Sequence, residues 1–447
     1  MIKSSLTTKA LRAAATECKF SDKGVAAGAR QQETGRILVL SIYLLLCFKP
    51  MSLFYLEKLY PALGAIDAVW SVVVIVFSFV VIVSIWWHDP PGSSVLLFTF
   101  CCSAMVLSVF INNGTVSALG TVGESLNTIG LLWLLDYAFK RWRQALLNAL
   151  VFVFGTYMVL SWGSVFMTGH VGLVPGTITP VYFYGQKNMI FIYGIPLLVS
   201  MILRQSRGDS RVSTASVVYA FICAVTSLYT DSVSSLICFS LLGVALLSLK
   251  IKGRAIRLAD PYLFLGIIVA LFAVTVILQN NAGFIEKILL SFDRSVTFSG
   301  RTPAWNQAMD YFSSSIVYGC GNNLVYVLAH GVEVSSAHSF YLASLAKYGL
   351  LFTIPILIDI FIVSHVARRA RGSVVVCACT LVYFLLLAHS LYDIMYLNIY
   401  ILIRACLLET VRNSRVKEGD KIDSTARFNR KGVSRLCSQV SEAGSSH

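Results

Sequence analysis

The sequence predicts an all-α integral membrane protein with about twelve transmembrane helices and one long extracytoplasmic loop. Hydrophobic residues make up 56% of the 447-residue chain and charged residues only 13%, with a mean hydropathy of +0.73. Soluble domains usually carry about 25% charge, which argues against a soluble fold. Apolar runs of about 20 residues, the length that crosses a bilayer, recur along the whole chain. The predicted membrane domain is 37–410, between polar tails at 1–36 and 411–447.

The individual helices follow from these apolar runs. The predicted spans are 37–56, 69–87, 93–111, 116–139, 145–168, 189–203, 212–229, 232–249, 261–280, 339–364, 373–389 and 394–410. Most cysteines lie inside these runs, where a thiol behaves as a small hydrophobe, so no disulfide framework is implied. Among them are Cys101, Cys102, Cys223, Cys238, Cys377, Cys379 and Cys406.

The distribution of Lys and Arg predicts the orientation, since these residues collect in cytoplasmic loops. With the N-terminus inside, the inner segments hold 28 of the 36 basic residues and the outer segments hold 6. Both tails are therefore expected to be cytoplasmic, and 1–36 lacks the apolar region of a signal peptide. The net charge of +14 is then explained by contact with anionic lipid rather than with nucleic acid.

One outer segment, 281–338, is far longer than the other loops, and loops of that length in compact domains are usually functional. Near its centre, Pro303 is followed by Trp305, Met309 and Phe312 at helical spacing. This pattern predicts a short amphipathic helix at the membrane interface. Further along, 319–321 (Gly-Cys-Gly) is typical of a turn.

Three residues at the outer surface are candidates for a site, because charge near hydrocarbon is costly. Arg301 offers a planar fork of donors suited to phosphate. Lys187, followed by Asn188, opens the sixth span, where a helix N-terminus favours an anion. His338 opens the tenth span and could take a proton from a hydroxyl. The simpler alternatives are a solvated charge, a snorkelling lysine and a helix cap.

Arg404 lies in the middle of the last span and must face protein or a polar cavity. It either contributes to a site or forms a structural ion pair, with Asp393 or Asp231 as the candidate partners. The outer segments contain no Gly-rich phosphate loop, no Asp-x-Asp or His-x-x-x-His pair and no Gly-x-Ser-x-Gly elbow. We therefore expect chemistry that needs no metal and no cofactor.

The long loop and the span after it resemble the O-antigen ligase and polymerase superfamily. Ser299-Gly-Arg301-Thr-Pro-Ala-Trp305 resembles the serine-glycine-arginine-x-x-x-tryptophan signature of that superfamily. The glycine turn at 319–321 and the segment 337–350 (Ala-His-Ser-Phe-Tyr-Leu-Ala-Ser-Leu-Ala-Lys-Tyr-Gly-Leu) are similar to its glycine turn and histidine helix.

Two upstream segments extend the resemblance over residues 180–350, whereas 1–170 agree in hydropathy only. Gly185-Gln-Lys187-Asn188 is similar to the family's lysine-asparagine entrance to a span, and 230–236 (Thr-Asp-Ser-Val-Ser-Ser-Leu) to its threonine-x-serine segment. Two positions depart from the pattern: Ser339 stands where Asn is frequent and Val233 where Arg is frequent. The second leaves one fewer cation, for which Lys187 or Arg404 would compensate.

The resemblance implies a glycosyltransferase-C-like fold in a bacterial inner membrane. It implies a metal-independent, inverting transfer of a glycan from undecaprenyl diphosphate to an acceptor hydroxyl on the outer face. Arg301 would hold the diphosphate and His338 would take the acceptor proton. The residues expected to bind the diphosphate or the glycan are Lys187, Asn188, Arg404, Trp305 and Tyr341. A flippase and a chain-length regulator of the same pathway are further expected partners, and nucleic acid is not.

Three functions remain open from the sequence. A polymerase would join lipid-linked repeat units of a surface, capsular or O-antigen polysaccharide, and this is the function we favour. A ligase would join the finished chain to lipid A core. A transporter or flippase would show internal repeats and polar residues at the membrane midplane, whereas here the polar residues concentrate on the outer face.

Overall fold

A computed structural model describes residues 31–56, 60–173, 180–205, 212–253, 260–273, 301–328, 331, 333–370, 372–391 and 396–415. The helices are α1 (31–47), α2 (Met51–Leu56), α3 (Pro61–Trp86), α4 (Ser93–Arg141), α5 (Arg143–Phe166), α6 (Met189–Gln205), α7 (Thr214–Tyr229), α8 (Val233–Lys252), α9 (Pro261–Phe272), α10 (Thr302–Ser314), α11 (Phe340–Arg369), α12 (Val374–His389) and α13 (397–415). The strands form two antiparallel hairpins, β1 (Gly172–Leu173) with β2 (Pro180–Val181) and β3 (Tyr326–Val327) with β4 (Glu333–Val334).

The prediction of a helical, multi-pass membrane protein is confirmed. In the described part of the chain, six helices are long and apolar enough to cross a membrane. They are Gln31–Leu53, Ala62–Trp86, Ser93–Arg141, Arg143–Phe166, Val233–Lys252 and Phe340–Arg369. Four further apolar helices, α6, α7, α9 and α12, are shorter. The count of twelve spans stays a prediction, and the second half of the predicted span 261–280 lies outside the described residues.

The helices form one bundle with α6 and α12 inside it. Nearly every residue of these two helices is buried, whereas α3 keeps most of its apolar surface exposed. A helix that is hydrophobic all round is stable only where protein or lipid surrounds it. The cysteines named above as lying inside predicted spans are buried as well.

Helix α4 is a hairpin of two antiparallel arms. Gly114 interrupts it with φ 78° and ψ −179°, a conformation that glycine adopts without a Cβ clash. Cys102 of the first arm and Ser125 of the second line the same apolar groove, of about 460 Å³, between the arms. The two arms correspond to the predicted spans 93–111 and 116–139.

Helix α11 is interrupted by Gly349, at φ 64° and ψ −161°. The break separates a short helix, 340–348, from a long one, 350–369. The predicted glycine turn packs into this break: the N–H of Cys320 donates to the carbonyl of Ala346 (2.8 Å), and that of Gly321 to the carbonyl of Lys347 (2.9 Å). The turn therefore satisfies backbone groups that the interruption would leave unpaired.

The two ends of the bundle can be told apart by their contacts. We call the end that carries 301–338 the loop side, and the end where α1 begins and α13 finishes the tail side. At the tail side Arg36 lies over the ring of Trp142, 5.4 Å from its centroid, and Arg143 pairs with Glu409 (3.4 Å).

The predicted amphipathic helix exists as α10, and part of its apolar face packs against protein. Ala304, Trp305 and Ala308 are fully buried against protein. Their neighbours are Leu324, Tyr326, Ala337, Leu342 and Ala346. A position at the membrane interface stays a prediction, because amphipathic periodicity shows only that one face is apolar, and Met309 of the predicted face is 42% exposed.

Candidate active site

Two segments identified in the sequence lie side by side on the loop side. The ammonium of Lys187 pairs with the carboxylate of Asp231 at 2.9 Å. The hydroxyl of Ser232 donates to Oδ1 of Asn188 (3.0 Å), and that of Ser235 donates to the Asn188 carbonyl (3.3 Å). These bonds join the start of α6 to the start of α8.

The Lys187–Asp231 ion pair is exposed, with Asp231 73% accessible. Pairs of this kind contribute only about 0–1 kcal/mol. The ammonium of Lys187 can therefore exchange Asp231 for a phosphate oxygen at little cost, while Asn188 stays fixed by the two serines.

Arg301 and His338 are held in the same region by Trp305. Arg301 precedes α10, and its carbonyl accepts the first helical hydrogen bond from the N–H of Trp305 (3.0 Å). The indole Nε1 of Trp305 donates to the carbonyl of Ala337 (2.9 Å), the residue before His338. Two hydrogen bonds of Trp305 therefore connect the backbone at Arg301 to the residue before His338.

His338 has an unusual backbone. Among the described non-glycine residues, only Asp231 (φ 54°) and His338 (φ 49°) have a positive φ. A non-glycine residue in this region costs about 1–3 kcal/mol and persists where its surroundings enforce it, often at functional sites. Both outliers fall in segments that the sequence singled out, and the N–H of His338 is fixed by the hydroxyl of Ser336 (3.2 Å).

The C-terminal end of α12 connects the segment that contains Asn188 to the segment that contains His338. The carbonyl of Ser390 accepts from the N–H of Phe340 (3.0 Å), two residues after His338. The buried ring of His389 stacks on Phe191 of α6 with ring centroids 4.8 Å apart. The N-terminal ends of α6, α8 and α11 therefore form one continuous surface on the loop side, which we call the wall.

Trp305 and Tyr341, the two aromatic residues that were predicted to bind the substrate, both contact protein. Trp305 is fully buried, so it holds Arg301 and His338 in place, and direct contact with a glycan stays a prediction. The hydroxyl of Tyr341 donates to the carbonyl of Leu387 (3.3 Å), and the ring of Tyr341 lies 6.3 Å from that of Phe272.

Arg404 lies elsewhere. Its guanidinium forms a bidentate pair with Asp359, with Nε to Oδ2 and Nη2 to Oδ1 both at 2.7 Å, and it also donates to Ser94 (2.9 Å). Ser94 and Lys140 line the same tail-side cavity as Arg404. The structure thus gives Arg404 an ion-pair partner that the sequence did not identify, since Asp231 pairs with Lys187 and Asp393 is outside the described residues.

Two phenols near the wall keep their protons. Burial raises the pKa of Tyr182, and the nearby carboxylate of Asp231 raises it further. Burial also raises the pKa of Tyr326, which packs against Tyr311. Neither phenol adds negative charge to this region.

Sequence reasoning missed that the α4 hairpin supports this region. The side-chain amide of Asn112 donates to the carbonyl of Gly319 (3.0 Å), and Oδ1 of Asn113 accepts from the N–H of Asn322 (2.7 Å). The hydroxyl of Ser108 donates to the carbonyl of Lys347 (2.7 Å). The Asn-Asn-Gly sequence at 112–114 is a turn signal that could have marked this hairpin tip.

Residues 217–357 match a family model described as O-antigen ligase. The match runs from α7 into α11, covers less than half of the chain and includes Asp231, Arg301 and His338. It confirms the resemblance to the O-antigen ligase and polymerase superfamily. None of the curated proteins matches the chain.

Proposed function

We propose that this protein is a membrane glycosyltransferase. The premise is the match of residues 217–357 to the O-antigen ligase family model, which supports the O-antigen ligase and polymerase superfamily. The protein transfers a glycan from undecaprenyl diphosphate to a sugar hydroxyl and polymerises the repeat units of a surface polysaccharide. The observation that carries the proposal is the Trp305–Ala337 hydrogen bond, which links the segment that begins with Arg301 to the segment that contains His338, both inside the matched range.

In the proposed reaction, Arg301 and Lys187 bind the diphosphate and His338 faces the acceptor hydroxyl. The hydroxyl oxygen attacks the anomeric carbon from the side opposite the diphosphate, so the anomeric configuration inverts. The carbon–oxygen bond to phosphate breaks, its electron pair leaves with the diphosphate, and the hydroxyl proton passes to His338. Arg301 stabilises the leaving charge, often the largest single catalytic effect, and no metal takes part.

The proposed setting is the bacterial inner membrane, with both termini in the cytoplasm and the loop side outside. The 28 to 6 division of basic residues supports this orientation. The lipid-linked donor would then reach the wall in the outer leaflet, and a flippase and a chain-length regulator would act before and beside this enzyme.

The test is reconstitution of the full chain in proteoliposomes with lipid-linked glycan extracted from the cells that encode it. Without added metal or nucleotide, we expect a ladder of longer chains on a gel. H338A and R301A should each abolish the ladder while inserting normally, because proton acceptance and charge neutralisation are lost. H365A and R368A, on the tail-side half of α11, are the matched controls. Wild-type chain length in both loop-side variants would contradict the mechanism.

A ligase is the second candidate, favoured by the description of the matching family model. The same assay separates the two, because a polymerase lengthens chains from lipid-linked repeats alone. A ligase leaves those repeats unchanged and transfers glycan only when lipid A core is included in the vesicles.

A further inference from the structure

A second group of polar side chains on the loop side takes no part in the proposed reaction. Thr121, Glu124 and Thr128 share one face of the second arm of α4, at helical spacing. Thr121 Oγ1 accepts from the side chain of Asn322 (3.3 Å), and Thr128 Oγ1 donates to the side chain of Asn398 (3.0 Å). This face is therefore turned towards the loop and α13 rather than towards lipid.

Opposite charges face each other in this group without touching. Glu124 lies within electrostatic range of both Lys347 and Lys49. Within the described residues, however, the carboxylate and the Lys347 ammonium form no ion pair within 4.0 Å, and Lys49 pairs with Asp67 instead. Glu124 is exposed and Lys347 half-buried, so both charged groups remain accessible, and we call the space between them the cleft.

The rim of this cleft is fixed by hydrogen bonds. The hydroxyl of Tyr348 donates to Oδ1 of Asn322 (2.7 Å), and the same amide donates to Thr121. The carbonyl of Lys347 is held by Ser108 (2.7 Å) and by the N–H of Gly321 (2.9 Å). The cleft is therefore preorganised by the glycine turn and by both arms of α4.

The charges of the cleft indicate the ligand. Glu124 and Asp67 balance Lys347 and Lys49, so the cleft has no excess positive charge to bind a diphosphate. A sugar hydroxyl both donates and accepts: it can donate to the Glu124 carboxylate and accept from the Lys347 ammonium. Separated charges at this depth are costly until polar groups satisfy them, and a neutral saccharide supplies such groups.

The cleft is connected to the candidate active site by one short helix. His338 precedes 340–348, and Lys347 and Tyr348 end it. At about 1.5 Å per residue the two ends are about 13 Å apart. A short saccharide lying along this helix would reach both.

We infer that Glu124, Lys347, Asn322 and Tyr348 form a subsite for the acceptor saccharide. The saccharide's hydroxyls bridge the separated charges, and its reactive hydroxyl reaches His338. The role as acceptor rests on the proposed function, whereas binding of a neutral saccharide does not.

The test measures binding without turnover. The probe is the oligosaccharide freed by mild acid from the lipid-linked glycan of the cells that encode the chain. Its contact with the full-length protein in nanodiscs is followed by saturation-transfer NMR. Wild type should give a signal, whereas E124Q should bind about tenfold more weakly, the loss of one charge-assisted hydrogen bond. D136N, at the tail end of the same arm, should bind like wild type.

A charge swap separates a subsite from a structural ion pair. E124K combined with K347E restores opposite charges, so a merely structural pair would regain wild-type binding, whereas a subsite built for one arrangement would stay impaired. Wild-type binding in the swap or in E124Q, or no signal from the wild-type protein, would overturn the inference. Saccharide binding by a wild-type protein that makes no ladder would refute the transferase and leave the subsite standing.

Discussion

At the scale of single residues, Arg404 and Asp359 form a buried ion pair between helices. Arg404 is 4% exposed and Asp359 1%, and the hydroxyl of Tyr400 donates to the same carboxylate (2.7 Å). The guanidinium also lies 5.4 Å from the centroid of the Phe98 ring. Every contact of Arg404 described here joins α4, α11 and α13 to one another, which favours a structural role.

The two residues should therefore depend on each other for stability. Replacing Arg404 alone by Met, or Asp359 alone by Leu, leaves a buried charge unpaired and is expected to cost about 3–5 kcal/mol. The double variant R404M/D359L should recover much of that loss, because it buries no charge. Thermal unfolding in detergent measures all three. A double variant as unstable as the sum of the single ones would contradict this role.

At the scale of elements, glycines allow the backbone breaks in α4 and α11. They also allow the turn at 319–321, which packs into the break of α11. Gly319 has φ 70°, and a Cβ there would lie 2.4 Å from the backbone carbonyl group of Lys347. Gly349 has φ 64°, and a Cβ there would lie 2.4 Å from the carbonyl oxygen of Val317. The turn and the break of α11 can approach this closely only because both positions lack a side chain.

Gly319 can be compared with a glycine of similar backbone in open space. Gly331 has φ 75° and nothing within 4 Å of its Cβ position. Gly331→Ala should cost about 1 kcal/mol, from its left-handed conformation alone. Gly319→Ala should cost about 1–3 kcal/mol more, because backbone must move. Unfolding temperatures of the two variants measure the difference, and equal temperatures would show that the close contact is unimportant.

At the scale of the whole molecule, the proposed orientation makes opposite predictions for two exposed residues. Glu333 lies in β4 on the loop side, and Lys252 ends α8. In a background with Cys320 and both tail cysteines replaced by Ser, a membrane-impermeant maleimide on intact spheroplasts should label E333C. K252C should react only after the cells are lysed, because its span end faces the cytoplasm in the proposed topology. The reverse pattern would invert the orientation.

The helices could be predicted from the sequence because each one depends on its own local run of residues. A run of apolar residues marks a helix wherever it occurs, so the arms of α4, the short helix α10 and the glycine turn followed from their own residues. The candidate site was predictable in part for the same reason. His338, Arg301 and Lys187 lie in short segments with recognisable order and spacing.

Their partners could not be predicted, because they come from distant parts of the chain. Ser108 and Lys347 are 239 residues apart, and Arg404 and Ser94 are 310 apart. Nothing in either segment specifies such a pair, since it exists only once the helices pack. The sequence by itself determined the helices, the basic tails and the motif segments of the loop side. Only the tertiary structure decided that Trp305 is buried, that Arg404 pairs with Asp359, and that Glu124 faces Lys347 across a cleft, because each depends on how separate helices meet.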